Sequence, residues 1–350
     1  MTDEPLLSVR GLTVDFPTPD GAVHAVRGVT YDLHPGEVLG IVGESGSGKS
    51  VSSLAVMGLL PGSARVSGSI TFRGEELLGR KPKELNAVRG KQIAMIFQDP
   101  MTSLDPVYTV GWQVAEGVRA HNDVSRKEAH DRAVDLLQLV GIPNAGQRAG
   151  NYPHEFSGGM RQRAVIAIAM ANDPDVIIAD EPTTALDVTV QAQVLEVLKT
   201  AREETGAAMV LITHDLGIVA GAADKVLVMY AGRPVEVGTV DEVYYRPRMP
   251  YTVGLLGSLP RLDEDGEERL RPITGAPPSL ISLPPGCPFS PRCPMSRTHC
   301  EEDEPELRLV DLGDHLAACH YAEELVAADD EFALFLPRSD DAAVEGEPGA

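Results

Sequence analysis

The chain has 350 residues, with 52 acidic and 30 basic side chains giving a formal charge of −22 at pH 7, which argues against a nucleic-acid partner needing a basic face. A hydrophobic fraction of 43% supports one large α/β domain with an appendage. Apolar runs such as Ala164–Ala171 fall short of the ~18 residues that span a bilayer, and MTDEPLLSVRGL lacks the basic-then-apolar pattern of a secretion signal.

In chain order, Val38–Val42 reads as a buried strand and Val51–Leu60 as a helix, and the eight residues between them match G-x-x-x-x-G-K-[ST]. Gly43, Gly46 and Gly48 let the backbone curl so that N–H groups around Ser45 and Ser47 point inward at phosphates. Lys49 adds a charge for the β/γ oxygens, and the Ser50 hydroxyl suits Mg²⁺. A plain Gly/Ser turn is the bland alternative, and both flanks speak against it. Ile93–Phe97 reads as a second strand, closed by Gln98. Val176–Asp180 is a third, ending in an acid able to hold Mg²⁺ at the carboxyl end where open α/β sheets bind ligands. Asp187 fits an N-cap for a helix whose apolar face is Val190, Val194, Val197, Leu198 and Ala201, and Ser157 fits a cap for a helix from Gly158. Met209–Thr213 is a further apolar strand, followed by His214.

Together these motifs, in this order, resemble an ABC ATPase over roughly residues 5–260. Ser157-Gly158-Gly159-Met160-Arg161-Gln162 resembles the signature motif, Val176–Asp180 the Walker B strand, Ala185-Leu186-Asp187 the D-loop and Gln98 the Q-loop. The resemblance implies a P-loop NTPase, RecA-like core with a β-rich N-terminal subdomain and a helical subdomain over about 107–172. It further implies that Glu181 polarises the attacking water, that His214 is a switch histidine near the γ-phosphate, and that Gln98 joins Ser50 and Asp180 around Mg²⁺. By the same resemblance the ATP set is Gly43, Ser45, Gly46, Ser47, Gly48, Lys49, Ser50, Gln98 and Asp180, with Ser157, Gly158, Gly159, Gln162 and Asp187 serving a partner's nucleotide in a head-to-tail dimer. Phe16 stands where the family stacks an aromatic on adenine. The stretch from Pro17 to Val23 reads as a long loop, and a core or edge aromatic is the alternative reading of Phe16.

Three segments resemble one branch of that family, the oligopeptide/dipeptide/nickel importers. These are Phe97–Pro106, in which Asp105 stands where the family carries Asn; Tyr152–Glu155 with Met160, as in the D-type subunit; and Arg248–Pro260, in which Met249 stands where the family often has His. The resemblance implies ATP hydrolysis coupled to peptide import, an F-type ATPase partner, two membrane permease subunits and an extracytoplasmic binding protein. It places the chain peripherally on the cytoplasmic face of the membrane. Nickel chelates, glutathione and oligosaccharides stay open as cargo. A non-transport ABC ATPase and an iron- or redox-sensing regulator are the rival classes, opposed by a single cassette with an acidic appendage and by complete catalytic motifs.

Residues 261–325 read as a small loop-rich domain carrying Cys287, Cys293, Cys300 and Cys319 in the spacing C-x5-C-x6-C-x18-C, and 326–350 as an acidic disordered tail. Residues 261–350 hold 21 acidic and 7 basic side chains, so most of the negative charge lies here. Paired C-x2-C zinc knuckles are missing, and Pro288 and Pro294 follow two of the cysteines. A [4Fe-4S] cluster is the expectation, as the resemblance implies, with Zn²⁺ the alternative. His299, His315 and His320 lie close enough in sequence to substitute as ligands.

Overall fold

The computed structural model describes residues 4–184, 186–259, 273–311 and 313–327. Most of the tail expected at 326–350 lies outside them, as do Ala185 of the expected D-loop and residues 260–272 at the expected domain junction.

The strands are β1 (Leu7–Thr18), β2 (Gly21–Leu33), β3 (Val38–Val42), β4 (Arg65–Phe72), β5 (Glu75–Glu76) and β6 (Ile93–Ile96). They continue with β7 (Val176–Asp180), β8 (Ala208–Thr213), β9 (Lys225–Tyr230), β10 (Arg233–Thr239), β11 (Arg308–Leu309) and β12 (Leu316–Ala317). One sheet is antiparallel in the order β2-β1-β4-β5; the other has eight strands in the order β11-β12-β10-β9-β3-β8-β7-β6. From β9 to β6 its neighbours are parallel, and β10, β12 and β11 continue it antiparallel.

Strand alternation divides the interior. Ala94, Ile96, Ile177, Ala179, Met209 and Leu211 face a core shared with the helices Val110–Arg119, Arg126–Leu139 and Gly158–Ala169, which lie between β6 and β7. Ile93, Val176, Ile178, Val210 and Ile212 face the opposite side, against the apolar residues of β1, β2 and β4. Both faces of the parallel strands are thus covered, which explains their unbroken apolar runs; each fully buried Ile or Val contributes about 1.5–3 kcal/mol.

Two local expectations are corrected. The helix after the nucleotide loop begins at Lys49 and ends at Val56, because Gly58 turns with φ +60° and the chain leaves toward Pro61. The supposed loop from Pro17 to Val23 is a tight hairpin, with Thr18 paired to Gly21 across Pro19-Asp20; proline and aspartate supply the turn, and Gly21 takes φ +134°.

The described residues of 273–327 pack onto the rest of the chain. β12 pairs with β10 through Glu236–Ala317 and Val237–Leu316, and Phe289 is fully buried against Tyr230 and Tyr251. Beneath this junction Glu236 and His315, both fully buried, meet at 2.9 Å from Oε1 to Nε2.

Candidate nucleotide site and cysteine cavity

Strands β3, β6, β7 and β8 deliver their following residues to one end of the sheet. Gly43 and Gly48 open and close the turn because nothing larger fits. A Cβ at Gly43 (φ +153°) would stand 2.2 Å from the Met229 carbonyl oxygen, and one at Gly48 (φ +99°) 2.3 Å from that of Ala25. Inside the turn, the Ser47 hydroxyl is buried with no hydrogen-bond partner, and it could donate to a phosphate oxygen. Lys49 Nζ donates to the carbonyls of Gly43 (2.8 Å) and Glu44 (3.0 Å). Burial holds its pKa below the ordinary lysine value, against the pull of Glu181, Asp180 and Glu44.

Ser50 Oγ donates to Asp180 Oδ1 at 2.8 Å, which brings the hydroxyl and carboxylate expected at Mg²⁺ together. Asp180 is raised above the usual carboxylate range, first by burial and also by Glu181 beside it, while Ser50 and Lys49 act in the other direction. A divalent cation would relieve that charge. Gln98, expected in the same set, instead donates Nε2 to Glu181 Oε2 at 3.0 Å.

Glu181 is the meeting point. Its Oε2 also accepts from Thr184 Oγ1 (2.8 Å) and lies 3.5 Å from His214 Nδ1, while Oε1 is 3.9 Å from Lys49 Nζ. Its backbone has φ +45°, a left-handed conformation that non-glycine residues adopt at a cost of order 1–3 kcal/mol. The strain is fixed by the Glu181 N–H bond to Ile212 O on β8.

Ser157 and Asp187 both cap helices: Ser157 Oγ accepts from the Met160 N–H at 3.4 Å and Asp187 Oδ1 from that of Val190 at 3.0 Å. Ser157 and Gly158 are exposed, whereas Gly159 is buried so closely that a Cβ would come 2.4 Å from Val190 Cγ1. Gln162 is buried with both amide atoms unpartnered. Phe16 pairs with Val23 near the hairpin end and is half-buried against the β1–β2–β4 core.

The four cysteines are free thiols lining one cavity of about 330 Å³, counting space open to solvent, together with Met249, Phe289 and Met295 among others. Burial pushes Cys293 and Cys319 up to about 12 and raises Cys287. Of the three histidines near them in sequence, His315 is committed to Glu236. His299, Asp303 and His320 bring donor atoms within 4.8 Å of one another, the one such set of three or more among the described residues.

Sequence reasoning missed Thr184, whose only signal was its place three residues after Glu181. It also missed the grip on Glu44 described below.

Comparisons with known proteins bear on this site. Residues 26–184 match the model of the ABC transporter family, and 235–300 that of the oligopeptide/dipeptide transporter C-terminal region. The dipeptide transport ATP-binding protein DppD of Bacillus subtilis is 54% identical over 304 residues, covering 86% of this chain and 90% of that protein. The chain belongs to the family of ABC transporter peptide-transport ATP-binding proteins. OppD of Escherichia coli is 53% identical over 300 residues, covering 86% of the chain and 89% of its own length. OppD of Mycobacterium tuberculosis is 58% identical over 316 residues, 90% of the chain, which spans only about half (52%) of that relative. A dimeric ATP-binding cassette solved in a post-hydrolysis state with ADP and Pi superposes with a TM-score of 0.60 at 26% identity, covering 67% of this chain and 98% of that one. CbiO1 of Clostridium perfringens, part of a cbiONQ transporter complex, gives 0.59 at 29% identity, covering 70% and 92%. Among the described residues no helix is long and apolar enough to cross a membrane.

Proposed function

We propose that this chain binds and hydrolyses ATP to energise an importer of oligopeptides or dipeptides. The observation that carries the reading is Glu181, oriented by Gln98, Thr184 and His214 beside the Ser50–Asp180 pair. Lys49, released from the Gly43 and Glu44 carbonyls, would turn to phosphate oxygens, and Glu181 would orient and deprotonate water. Ser50 and Asp180 are the residues to hold Mg²⁺, which when bound neutralises phosphate charge. The helix start at Ser157 is exposed and offers backbone N–H groups to an anion, so we read a second ATPase subunit closing head-to-tail as presenting the nucleotide it meets. The dimeric cassette among the structural relatives supports this arrangement. An F-type subunit is the partner we favour.

Phe97, Val107, Tyr108, Trp112 and Tyr152 are exposed apolar side chains on and after the Gln98 segment, and they would suit contact with two permease subunits. Tyr108 and Trp112 stack at 4.1 Å, giving a rigid anchor. The cassette would sit peripherally on the cytoplasmic face of the membrane, with an extracytoplasmic binding protein selecting cargo.

At the cysteines we favour a [4Fe-4S] cluster over zinc, because the four thiols line one cavity without the paired C-x2-C knuckles usual at structural zinc sites.

The experiment is reconstitution with permease, binding protein and partner ATPase in vesicles, scoring ATP-dependent uptake of labelled peptides. Uptake of a nickel chelate, glutathione or an oligosaccharide in place of peptide would replace the cargo assignment. Absence of any stimulation by the permease would remove the transport reading.

A further inference from the structure

Arg292 lies on the short turn Ser290–Arg292, far from every nucleotide motif in sequence, yet its guanidinium ends on the nucleotide loop. Nη1 donates to Glu44 Oε2 at 2.6 Å and Nη2 to Glu44 Oε1 at 2.8 Å, a two-pronged pair across 248 positions of chain. The remaining donors are also used: Nη1 reaches the Tyr230 hydroxyl at 3.2 Å, Nε the Thr274 carbonyl at 3.1 Å and Nη2 the Ile273 carbonyl at 3.4 Å. The Arg292 side chain is 4% exposed and that of Glu44 26%.

Glu44 is thereby held at three points. Its side chain is gripped by Arg292, its N–H donates to the Tyr251 hydroxyl at 2.8 Å, and its carbonyl accepts from Lys49 Nζ at 3.0 Å and from the Ser47 N–H at 3.2 Å. It is the residue from which the loop Ser45–Gly46–Ser47 is suspended. It is also a carboxylate within the loop that must receive a triphosphate, so its charge has to be directed away and neutralised. Arg292 does both.

We propose that Arg292 is a positioning residue for ATP binding, fixing the loop and cancelling the Glu44 charge. The segment around Arg292 is then part of the nucleotide site as well as a carrier of cysteines. Arg292 immediately precedes Cys293, and the turn is closed by the Ser290 N–H bond to Cys287 O at 2.9 Å, so the cysteine cavity and the nucleotide loop share one short segment.

The inference rests on the chain binding ATP, and the test separates the two. ATP and ADP binding to the purified full-length chain is measured by calorimetry, with ATPase KM and kcat in the assembled complex. Arg292→Met should raise the ATP dissociation constant at least about tenfold, because a paired carboxylate is left uncompensated. It should raise that of ADP less, since ADP carries less charge, and KM should move far more than kcat. Arg292→Lys keeps the charge without the fork and should fall between. The double variant Arg292→Met, Glu44→Gln should regain most of the lost affinity, which simple loosening of the fold would not produce. Arg248→Met, breaking the Arg248–Asp311 pair elsewhere in the same region, should lower the melting temperature and leave ATP affinity alone. The proposal is overturned if Arg292→Met loses thermal stability with unchanged ATP affinity, or if the double variant binds no better than the single. Failure of the unmutated chain to bind ATP would overturn the nucleotide assignment itself.

Discussion

Replacing Glu181 by Gln is the most direct probe of the hydrolytic site. The amide oxygen can keep both bonds now made by Oε2, from Gln98 at 3.0 Å and Thr184 at 2.8 Å, so the side chain should stay where it is. What disappears is one negative charge. Its attraction to Lys49, 3.9 Å away, is about 4 kcal/mol at an effective dielectric of about 20, but burying the carboxylate costs several kcal/mol in the other direction. The two nearly cancel, and the melting temperature should shift by only a few degrees. A γ-phosphate near this side chain would escape the repulsion of its charge, so ATP should bind at least as tightly as before. Hydrolysis should fall about 10²–10⁴-fold, the usual contribution of a positioned base. Single-turnover cleavage of γ-labelled ATP, calorimetry with ATP and gel filtration would show a slow, tightly binding and more dimeric variant. Turnover within tenfold of the unmutated chain, or lost ATP binding, would refute the role given to Glu181.

Three further outcomes are expected. Gly159→Ala would press a methyl to 2.4 Å from Val190 Cγ1 and should cost about 1–3 kcal/mol, partly recovered by Val190→Ala; thermal melting checks both. His315→Ala strands the fully buried Glu236 carboxylate and should cost about 3–5 kcal/mol near neutral pH. Because burial already raises the Glu236 pKa, its protonated form is the one the fold favours. That contribution is complete at acid pH and lost as pH rises through the folded value, so the defect in His315→Ala should shrink on acidification; a pH-independent defect in melting would contradict it. Loading iron or zinc at the cysteines should release protons near pH 7, since Cys293 and Cys319 are held as thiols by pKa values pushed up to about 12. Apparent metal affinity should accordingly rise with pH in a competition assay, and a flat profile would mean that these thiols are not the ligands.

The nucleotide loop, β7 and β8 were legible because each is a contiguous run whose chemistry is complete within a dozen residues. Caps at Ser157 and Asp187 were legible for the same reason, a hydroxyl or carboxylate three residues before the N–H it accepts from. The end of the first helix was overrun because Met57 to Leu60 continues an apolar pattern, while Gly58 settles the matter with a single backbone angle. The Gln98 bond to Glu181 was not legible either, because which of two neighbouring acids an amide meets depends on sub-ångström geometry that no spacing encodes. The Arg292–Glu44 pair was invisible for a different reason. Nothing local marks one arginine among the loops of a cysteine-rich region as the partner of a residue 248 positions earlier.

The pairing of β12 with β10 has a consequence during synthesis. The outer edge of β10 is covered by Leu316 and Ala317, and the buried Glu236 finds His315 only 79 positions downstream. At about 5–20 residues per second, a nascent cassette with all its nucleotide motifs translated waits several seconds with an open sheet edge and an unpaired buried acid. A chain halted before residue 316 would carry a complete set of ATP motifs and still present strand β10 to any neighbouring chain able to pair with it.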